Sequence, residues 1–297
     1  MGRYHSALLL VLALTGCPSD PPGATGRSTA SSSATASSAS TSTAPAPTAQ
    51  AGIPKELIES TLNPKKESPY DGPTGTLRGV VRVKGDPPPQ ESISFRPGCG
   101  AAAATYEKLF RVGQDDTLAD VLVAVAGYQG YVPPTQRFQT IDITECAYSQ
   151  RTVGLTFGQY LKVNNRDDRK SYLPSLLGAG LPAKLVAVPR GSVNLYAPKP
   201  GRMLLTDGMG HNHMIAHVFV LKYPTFHVTG LDGRYEIKGV PTGQAQVSAL
   251  LPAANMTVVR QKVTIAPGDN TLDLTIEYDA AKQRPATDAG APAPDAG

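Results

Sequence analysis

Closely spaced turn signals divide most of this chain into segments too short for long helices. The 297 residues include 27 Pro and 29 Gly. Proline lacks the amide donor that a helix interior needs, and glycine loses the most conformational entropy when it is ordered. Turn sequences such as Leu231-Asp232-Gly233 and Pro267-Gly268-Asp269 separate short runs of alternating apolar residues. The sequence therefore predicts an all-β protein, with a short helix over Pro54–Leu62 and a single helical turn near Ser175–Leu177.

The N-terminus has the pattern of an export signal. Arg3 gives a positive start, and Ala7–Leu14 is an apolar run of eight residues. That run is too short to cross the ~30 Å of a bilayer's hydrocarbon core. The following Leu14-Thr15-Gly16-Cys17 resembles a bacterial lipobox, in which a peptidase cuts before the cysteine and its thiol carries a diacylglycerol. We expect removal of residues 1–16 and lipidation of Cys17; the alternative is an ordinary signal peptide.

The lipobox resemblance also implies a location. In enteric lipoproteins an aspartate after the lipidated cysteine favours the inner membrane, and this chain has Pro18 there. We therefore expect a chain anchored in the cell envelope, at the outer membrane. Residues 17–52 form the lipidated start and tether, because 29 of the 35 residues after Cys17 are Ser, Thr, Ala or Pro. Such a segment buries too little apolar surface to fold. Residues 53–74 are a further linker, and residues 280–297 a disordered tail.

A second resemblance lies near the C-terminus. Residues 228–243 read VTGLDGRYEIKGVPTG, in which Asp-Gly closes a hairpin and Tyr235 and Ile237 share one strand face. This stretch resembles the carboxypeptidase-regulatory-like domain, a small transthyretin-type sandwich used for scaffolding and binding. The family's first strand is best matched far upstream, within residues 75–95, and its remainder spans 224–279. The two parts form either one interrupted sandwich or sequential domains.

The intervening region, residues 96–223, carries a different set of motifs. It contains Cys146-Ala147-Tyr148, then Gly158-Gln159-x-Leu161-x-Val163-x-Asn165, and later His211-x-x-Met214-x-Ala216. This set resembles periplasmic plastocyanin-like proteins, the cupredoxins. The resemblance predicts two packed β-sandwich modules in the chain. It also implies that Cys99 and Cys146 are framework cysteines joined in a disulfide; two separate buried thiols are the alternative.

The residues needed for blue-copper chemistry are incomplete. A type-1 site holds copper with a thiolate, two imidazoles and a weak axial methionine. Alignment on His211 and Met214 places Gly208, or with a slip Thr206, at the cysteine position. The family's first histidine is also missing, because residues 165–172 contain none. We therefore expect a cupredoxin fold with a degenerate type-1 site.

One histidine cluster remains a metal-binding candidate. Met209, His211 and His213 would share a face of an extended chain, and Met214 is adjacent. Thioether and imidazole together suit Cu(I), and imidazole alone also suits Zn(II) or Cu(II). The alternative is a remnant whose histidines are only solvated. His217, in a strand-like context, is interpreted as an ordinary surface or packing residue, as is His227.

Two functions follow from these observations. The sequence lacks the Gly-x-Ser-x-Gly, His-Glu-x-x-His and phosphate-loop motifs, so we expect no enzyme. A net charge of +4 without a Lys/Arg-rich stretch argues against nucleic-acid binding. The first function is a membrane-anchored, non-catalytic binding or scaffold module with an envelope protein or polysaccharide as partner, and no cofactor. The second is a periplasmic copper-binding protein using the loop around 209–214.

Overall fold

A computed structural model describes residues 52–179 and 184–283. The predicted signal peptide, Cys17 and nearly all of the predicted tether lie outside these residues, as do residues 284–297. In the described part of the chain, no helix combines the length and the apolar character required to cross a bilayer.

Strands dominate the described residues and confirm the all-β fold class. The few helices are short: α1 (Lys55–Leu62), α2 (Gly100–Tyr106), α3 (Ala280–Gln283) and a 3₁₀ turn over Gln114–Asp116. The strands, in chain order, are β1 (Thr74–Gly85), β2 (Leu122–Ala126), β3 (Phe138–Thr144), β4 (Ala147–Tyr148), β5 (Thr152–Thr156), β6 (Tyr160–Asn165), β7 (Pro174–Leu177), β8 (Ser192–Tyr196), β9 (Gly201–Asp207), β10 (Ile215–Leu221), β11 (Phe226–Val228), β12 (Arg234–Pro241), β13 (Gly243–Leu251), β14 (Thr257–Ile265), β15 (Gly268–Thr271) and β16 (Leu274–Tyr278).

The first sandwich is built from the middle of the chain. One sheet has the order β5-β10-β9-β7 and the other the order β4-β3-β6-β8. Alternate residues face the shared core, as Leu161 and Val163 do from β6. Helix α2 covers one side, where Ala102 and Tyr106 are buried in the same core. The period-two pattern of apolar residues thus accounts for the pairing of these two sheets.

The second sandwich joins the two ends of the described chain. Strand β1 pairs with β12 on one side and with β15 and β16 on the other. The facing sheet has the order β11-β2-β13-β14. Leu77 and Val81 of β1 share its core with Ile276 of β16 and Val247 of β13. Strand β1, which lies upstream of the first sandwich in sequence, therefore belongs to the same sheet as the C-terminal strands.

Three local expectations differ from the structure. Strand β2, inside the region 96–223, lies in the second sandwich, because the side chains of Val123 and Val125 are buried in that core. Ser175–Leu177 forms part of β7 instead of a helical turn, since Leu176 packs into the first core. Ala280–Gln283, the start of the predicted tail, forms helix α3. The family assignment of the regions themselves stays a prediction.

A buried ion pair ties the two sandwiches together. The Asp120 carboxylate accepts two hydrogen bonds from the Arg111 guanidinium, at 2.7 and 2.8 Å. It also accepts the backbone N–H of Arg151 at 2.6 Å, directly before β5 of the first sandwich. The Asp120 backbone N–H donates to the carbonyl oxygen of Thr229, which follows β11 of the second sandwich. This carboxylate therefore fixes the entry of β5 against the second sandwich.

Candidate functional site

The predicted histidine loop lies between β9 and β10 and is a turn, not extended chain. Gly210 has a φ of +87°, and the Met214 N–H donates to the His211 carbonyl oxygen at 2.8 Å. The shared face predicted for an extended chain is therefore wrong. Met209 is 46% exposed, whereas Met214 is fully buried in the first core. The turn thus brings His211 and His213 together and divides the methionines between solvent and core.

A buried carboxylate holds His211 in place. Nδ1 of His211 lies 2.7 Å from Oδ2 of Asp207, whose side chain is fully buried. The same carboxylate accepts the backbone N–H groups of Leu173 at 2.6 Å and Met209 at 3.1 Å. Since a carboxylate only accepts, Nδ1 donates this hydrogen bond and Nε2 is the ring nitrogen left for another partner. A histidine held in this way by a carboxylate is the usual arrangement of a metal ligand.

His213 is held differently. Its Nε2 donates to the Cys146 carbonyl oxygen at 3.0 Å, and its ring packs edge-on against Phe95 and Tyr106. Burial lowers the pKa of His213, against a smaller opposing effect of the Cys146 carbonyl. The ring is therefore neutral at pH 7. Its centroid lies 6.2 Å from that of His211, so the two imidazoles are neighbours at one surface.

The disulfide implied by the cupredoxin resemblance is confirmed. Cys99 and Cys146 are bonded to each other, and both are buried. The Lys170 ammonium lies 3.2 Å from Cys146 Sγ and 3.8 Å from Cys99 Sγ. The two sulfur atoms and a ring nitrogen of His211 all lie within 4.8 Å of one another. Sequence reasoning treated the cysteines only as framework and missed this proximity, because no spacing pattern links residues 99, 146 and 211.

These residues do not fit a type-1 copper centre. That centre needs a free thiolate with two imidazoles. Both cysteines outside the lipobox are consumed in the disulfide. Met214 aligns with the axial methionine of the family, and its side chain is buried in the core of the first sandwich. The positions that align with the copper-binding cysteine hold Gly208 or Thr206, which supply no thiolate. With the disulfide closed, the described residues therefore offer no thiolate for blue-copper electron transfer.

A basic cleft of about 730 Å³ opens beside the histidine loop. Arg96, Arg151 and Arg202 line it, together with His211, His213 and His217, and Glu91 is the acidic residue in its lining. Among the described residues, none of these three arginines forms a salt bridge. Their guanidinium groups are therefore not paired directly with carboxylates, although the charges of Asp120 and Glu91 favour the charged form of Arg151.

Two of the three arginines are positioned by neutral partners. Nη1 of Arg151 donates to the carbonyl oxygens of Lys108 and Leu109, at 2.9 and 2.8 Å. Nη2 of Arg202 lies 3.0 Å from Nδ1 of His217, which accepts this hydrogen bond as a neutral ring. Carbonyl and imidazole acceptors orient a guanidinium without cancelling its charge. The cleft thus keeps its positive potential.

The positive charges of the cleft act on the pKa of His217. Its pKa is lowered to about 4, first by burial and then by the positive charges of Arg202 and Arg151. The sequence predicts an ordinary surface or packing residue at this position, and the structure places His217 in the cleft wall. His227 lies elsewhere, in β11 of the second sandwich. No sequence signal brings Arg96, Arg151, Arg202 and His217 together, because their proximity depends on the fold.

Solved structures similar to part of the chain are cupredoxins. The reduced state of an amicyanin mutant matches with 16% identity, over 28% of this chain and 80% of that chain, at a TM-score of 0.25. Amicyanin from Paracoccus versutus matches with 13% identity, over 30% and 85%, at 0.26. Auracyanin A from Chloroflexus aurantiacus, described as a "blue" copper protein, matches with 18% identity, over 28% and 98%, at 0.24. No protein-family model and no curated protein matches the sequence.

Proposed function

We propose that this chain is a membrane-anchored, non-catalytic binding protein of the cell envelope, and that it binds an anionic ligand in the basic cleft. The observation that carries the proposal is the set of three cleft arginines, Arg96, Arg151 and Arg202, whose guanidinium groups form no salt bridge among the described residues. Guanidinium groups form short, paired hydrogen bonds with carboxylate and phosphate oxygens. A cleft that holds three of them is suited to a ligand with several negative charges.

The rest of the lining favours an anionic saccharide. Ser92, Ser94 and Asn212 place short hydroxyl and amide groups around the arginines. Such groups can donate to and accept from sugar hydroxyls. Tyr106 adds an aromatic ring beside Arg151, whose guanidinium carbon lies 5.6 Å from the ring centroid. The predicted lipid at Cys17 would keep this cleft next to the charged glycans and glycolipids of the envelope.

Calorimetric titration tests the cleft. The probes are pyrophosphate and citrate, added to the full-length protein in a neutral detergent at physiological salt. We expect saturable binding, weakened at least about 10-fold in Arg96→Gln/Arg202→Gln, because a hydrogen bond to a charged group contributes about 1.5–3 kcal/mol. The matched control is Arg78→Gln, which removes an arginine paired with Glu236 on the other sandwich. Equal affinity of the cleft variant and the wild type would refute the proposal.

The envelope partner is sought by co-sedimentation. Full-length protein is mixed with purified anionic envelope polysaccharide, and the bound fraction is compared between wild type and Arg96→Gln/Arg202→Gln. Co-sedimentation that requires the arginines supports a saccharide partner.

The anchor is tested separately by labelling cells with a fatty acid. A Cys17→Ser chain that still carries label, or still fractionates with membranes, would refute lipidation at Cys17.

Metal binding at the histidine loop is a second candidate function. It is favoured by the Asp207–His211 pair, which holds the imidazole through Nδ1 in the wall of the cleft. We expect protein isolated from copper-supplemented cells to contain copper that is lost in His211→Asn. His227→Asn is the matched control, because that residue lies on the second sandwich. Equal copper contents in the two variants would rule out His211 as a ligand.

A further inference from the structure

The closed disulfide occupies the two sulfur atoms nearest to His211. Cys99 Sγ, Cys146 Sγ and a ring nitrogen of His211 lie within 4.8 Å of one another. We propose that reduction of this disulfide creates a three-coordinate site for Cu(I), with the two thiolates and His211 as ligands. The inference deepens the metal-binding candidate and does not depend on anion binding in the cleft.

After reduction, the three candidate ligand atoms need different movements. Nitrogen and sulfur ligands lie about 2.0–2.3 Å from a bound ion, so in a planar three-coordinate site any two of them are about 3.5–4 Å apart. The two sulfurs, bonded to each other in the closed disulfide, must therefore move apart, whereas the His211 ring nitrogen, already within 4.8 Å of both, needs only a small side-chain adjustment. Cys99 and Cys146 are buried, whereas His211 lines the basic cleft. The ion can thus enter through the cleft and be enclosed by the sulfurs.

Two neighbouring groups prepare the ligands. The Lys170 ammonium, which also donates to the Gly98 carbonyl oxygen, lies beside both sulfurs and would stabilise their thiolate forms. Asp207 fixes the His211 ring with Nδ1 protonated, which leaves Nε2 as the nitrogen that can bind. Thiolates and a fixed imidazole form a soft ligand set, which selects Cu(I) or zinc over hard cations.

The number of ligands distinguishes the two soft ions. Structural zinc is almost always held by four protein ligands in a tetrahedron. Among His, Cys, Asp and Glu of the described residues, only Cys99, Cys146 and His211 form such a group. Cu(I) is stable with three soft ligands and needs no fourth. A three-ligand group of two sulfurs and one nitrogen therefore fits Cu(I) better than Zn(II).

The chemical step is a thiol–disulfide exchange followed by metal binding. A dithiol reductant supplies two electrons and two protons, the Cys99–Cys146 bond breaks to give two thiols, and the reductant becomes a disulfide. When Cu(I) binds, two copper–sulfur bonds form and the two thiol protons pass to solvent. The copper ion does not change its oxidation state. The two sulfur ligands are therefore available to copper only after the disulfide has been reduced.

The test compares the oxidised and reduced full-length protein in detergent without oxygen. The protein is reduced with dithiothreitol, freed of reductant, and titrated with Cu(I) held by a coloured competing chelator. We expect reduced wild type to remove about one equivalent of Cu(I), and the oxidised protein to bind at least ~10-fold more weakly. The same titration with Zn(II) is expected to be weaker; tighter zinc binding would overturn the assignment of the ion.

Alkylation locates the bound ion. Cu(I) should slow the reaction of Cys99 and Cys146 with iodoacetamide, read peptide by peptide in a mass spectrometer. His211→Asn keeps both cysteines and should lose this protection, whereas His227→Asn should keep it. Cys99→Ser/Cys146→Ser lacks both sulfur ligands and should not bind Cu(I) in the titration; if that variant does not fold, His211→Asn still decides the question. Unchanged protection in His211→Asn, or equal Cu(I) affinity with and without reduction, would overturn the proposal. Anion binding in the cleft is unaffected by either result.

Discussion

Replacing Asp120 by asparagine should be among the most damaging single changes in the chain. The Asp120 and Arg111 side chains are only 3% and 16% exposed, and they share two short hydrogen bonds. Asparagine keeps the shape but removes the charge, so the Arg111 guanidinium is left buried without a counter-ion. Removal of one partner from a buried ion pair lowers the free energy of unfolding by about 3–5 kcal/mol. In addition, the NH₂ group of the new asparagine is a hydrogen-bond donor and faces the Arg111 guanidinium, which also only donates.

Urea unfolding at pH 7 measures this effect. The control is Asp168→Asn, because Asp168 and its partner Arg190 are 73% and 63% exposed. An exposed pair contributes less than about 1 kcal/mol, so the control should unfold near the wild-type midpoint. A double variant, Arg111→Met/Asp120→Leu, should recover part of the lost stability because no buried charge remains. A loss below 1 kcal/mol in Asp120→Asn would refute the assigned role of this carboxylate.

Three further predictions concern the pH profile, a close backbone approach and the disulfide. The pKa of His217 is lowered from 6.5 to about 4, so its neutral ring stabilises the fold above pH 6.5 and this stability is lost as the pH falls toward 4. In His217→Gln, the urea midpoint should therefore change less between pH 6.5 and pH 4 than it does in the wild type. Gly79→Ala places a Cβ 1.8 Å from the Leu272 carbonyl oxygen and should lower the free energy of unfolding by roughly 1–3 kcal/mol, whereas Gly52→Ala, 3.9 Å from its nearest neighbour, should not. Reduction of the disulfide should lower the free energy of unfolding by about 4 kcal/mol in the chain-entropy account, measured by calorimetry, and Cu(I) should restore part of it.

The strand pattern is the part of this fold that the sequence predicts well. Alternating apolar residues and turn signals predict strand β12, in which Tyr235 and Ile237 share a buried face after the Asp232-Gly233 turn, because both signals are local. The helix over Gly100–Tyr106 was missed, although its four alanines strongly favour a helix. Ser175–Leu177 was mistaken for a helical turn, since a short apolar run has no period of its own and its partner strand decides its conformation.

The candidate site was harder to predict than the strands. The histidines at 211 and 213 were found, but their shared face rested on an extended chain that the positive φ of Gly210 excludes. The cleft was not found at all. Arg96, Arg151 and Arg202 are separated by about fifty residues each, so composition gives only a modest net charge. Their concentration at one surface arises from the packing of α2, β5, β9 and β10, which no local pattern encodes.

The position of strand β1 has a consequence for how the chain reaches its folded state. Val81 pairs with Leu274, 193 residues later in the sequence, and Val80 pairs with Arg234, 154 residues later. Pairings of such long sequence separation form slowly, because the loop must close before the contact stabilises it. The second sandwich therefore cannot close until residues near Tyr278 have been synthesised. A nascent chain stays open until then, and truncation before β16 should leave Val81–Gly85, the part of β1 that pairs with β16, as an exposed, aggregation-prone edge.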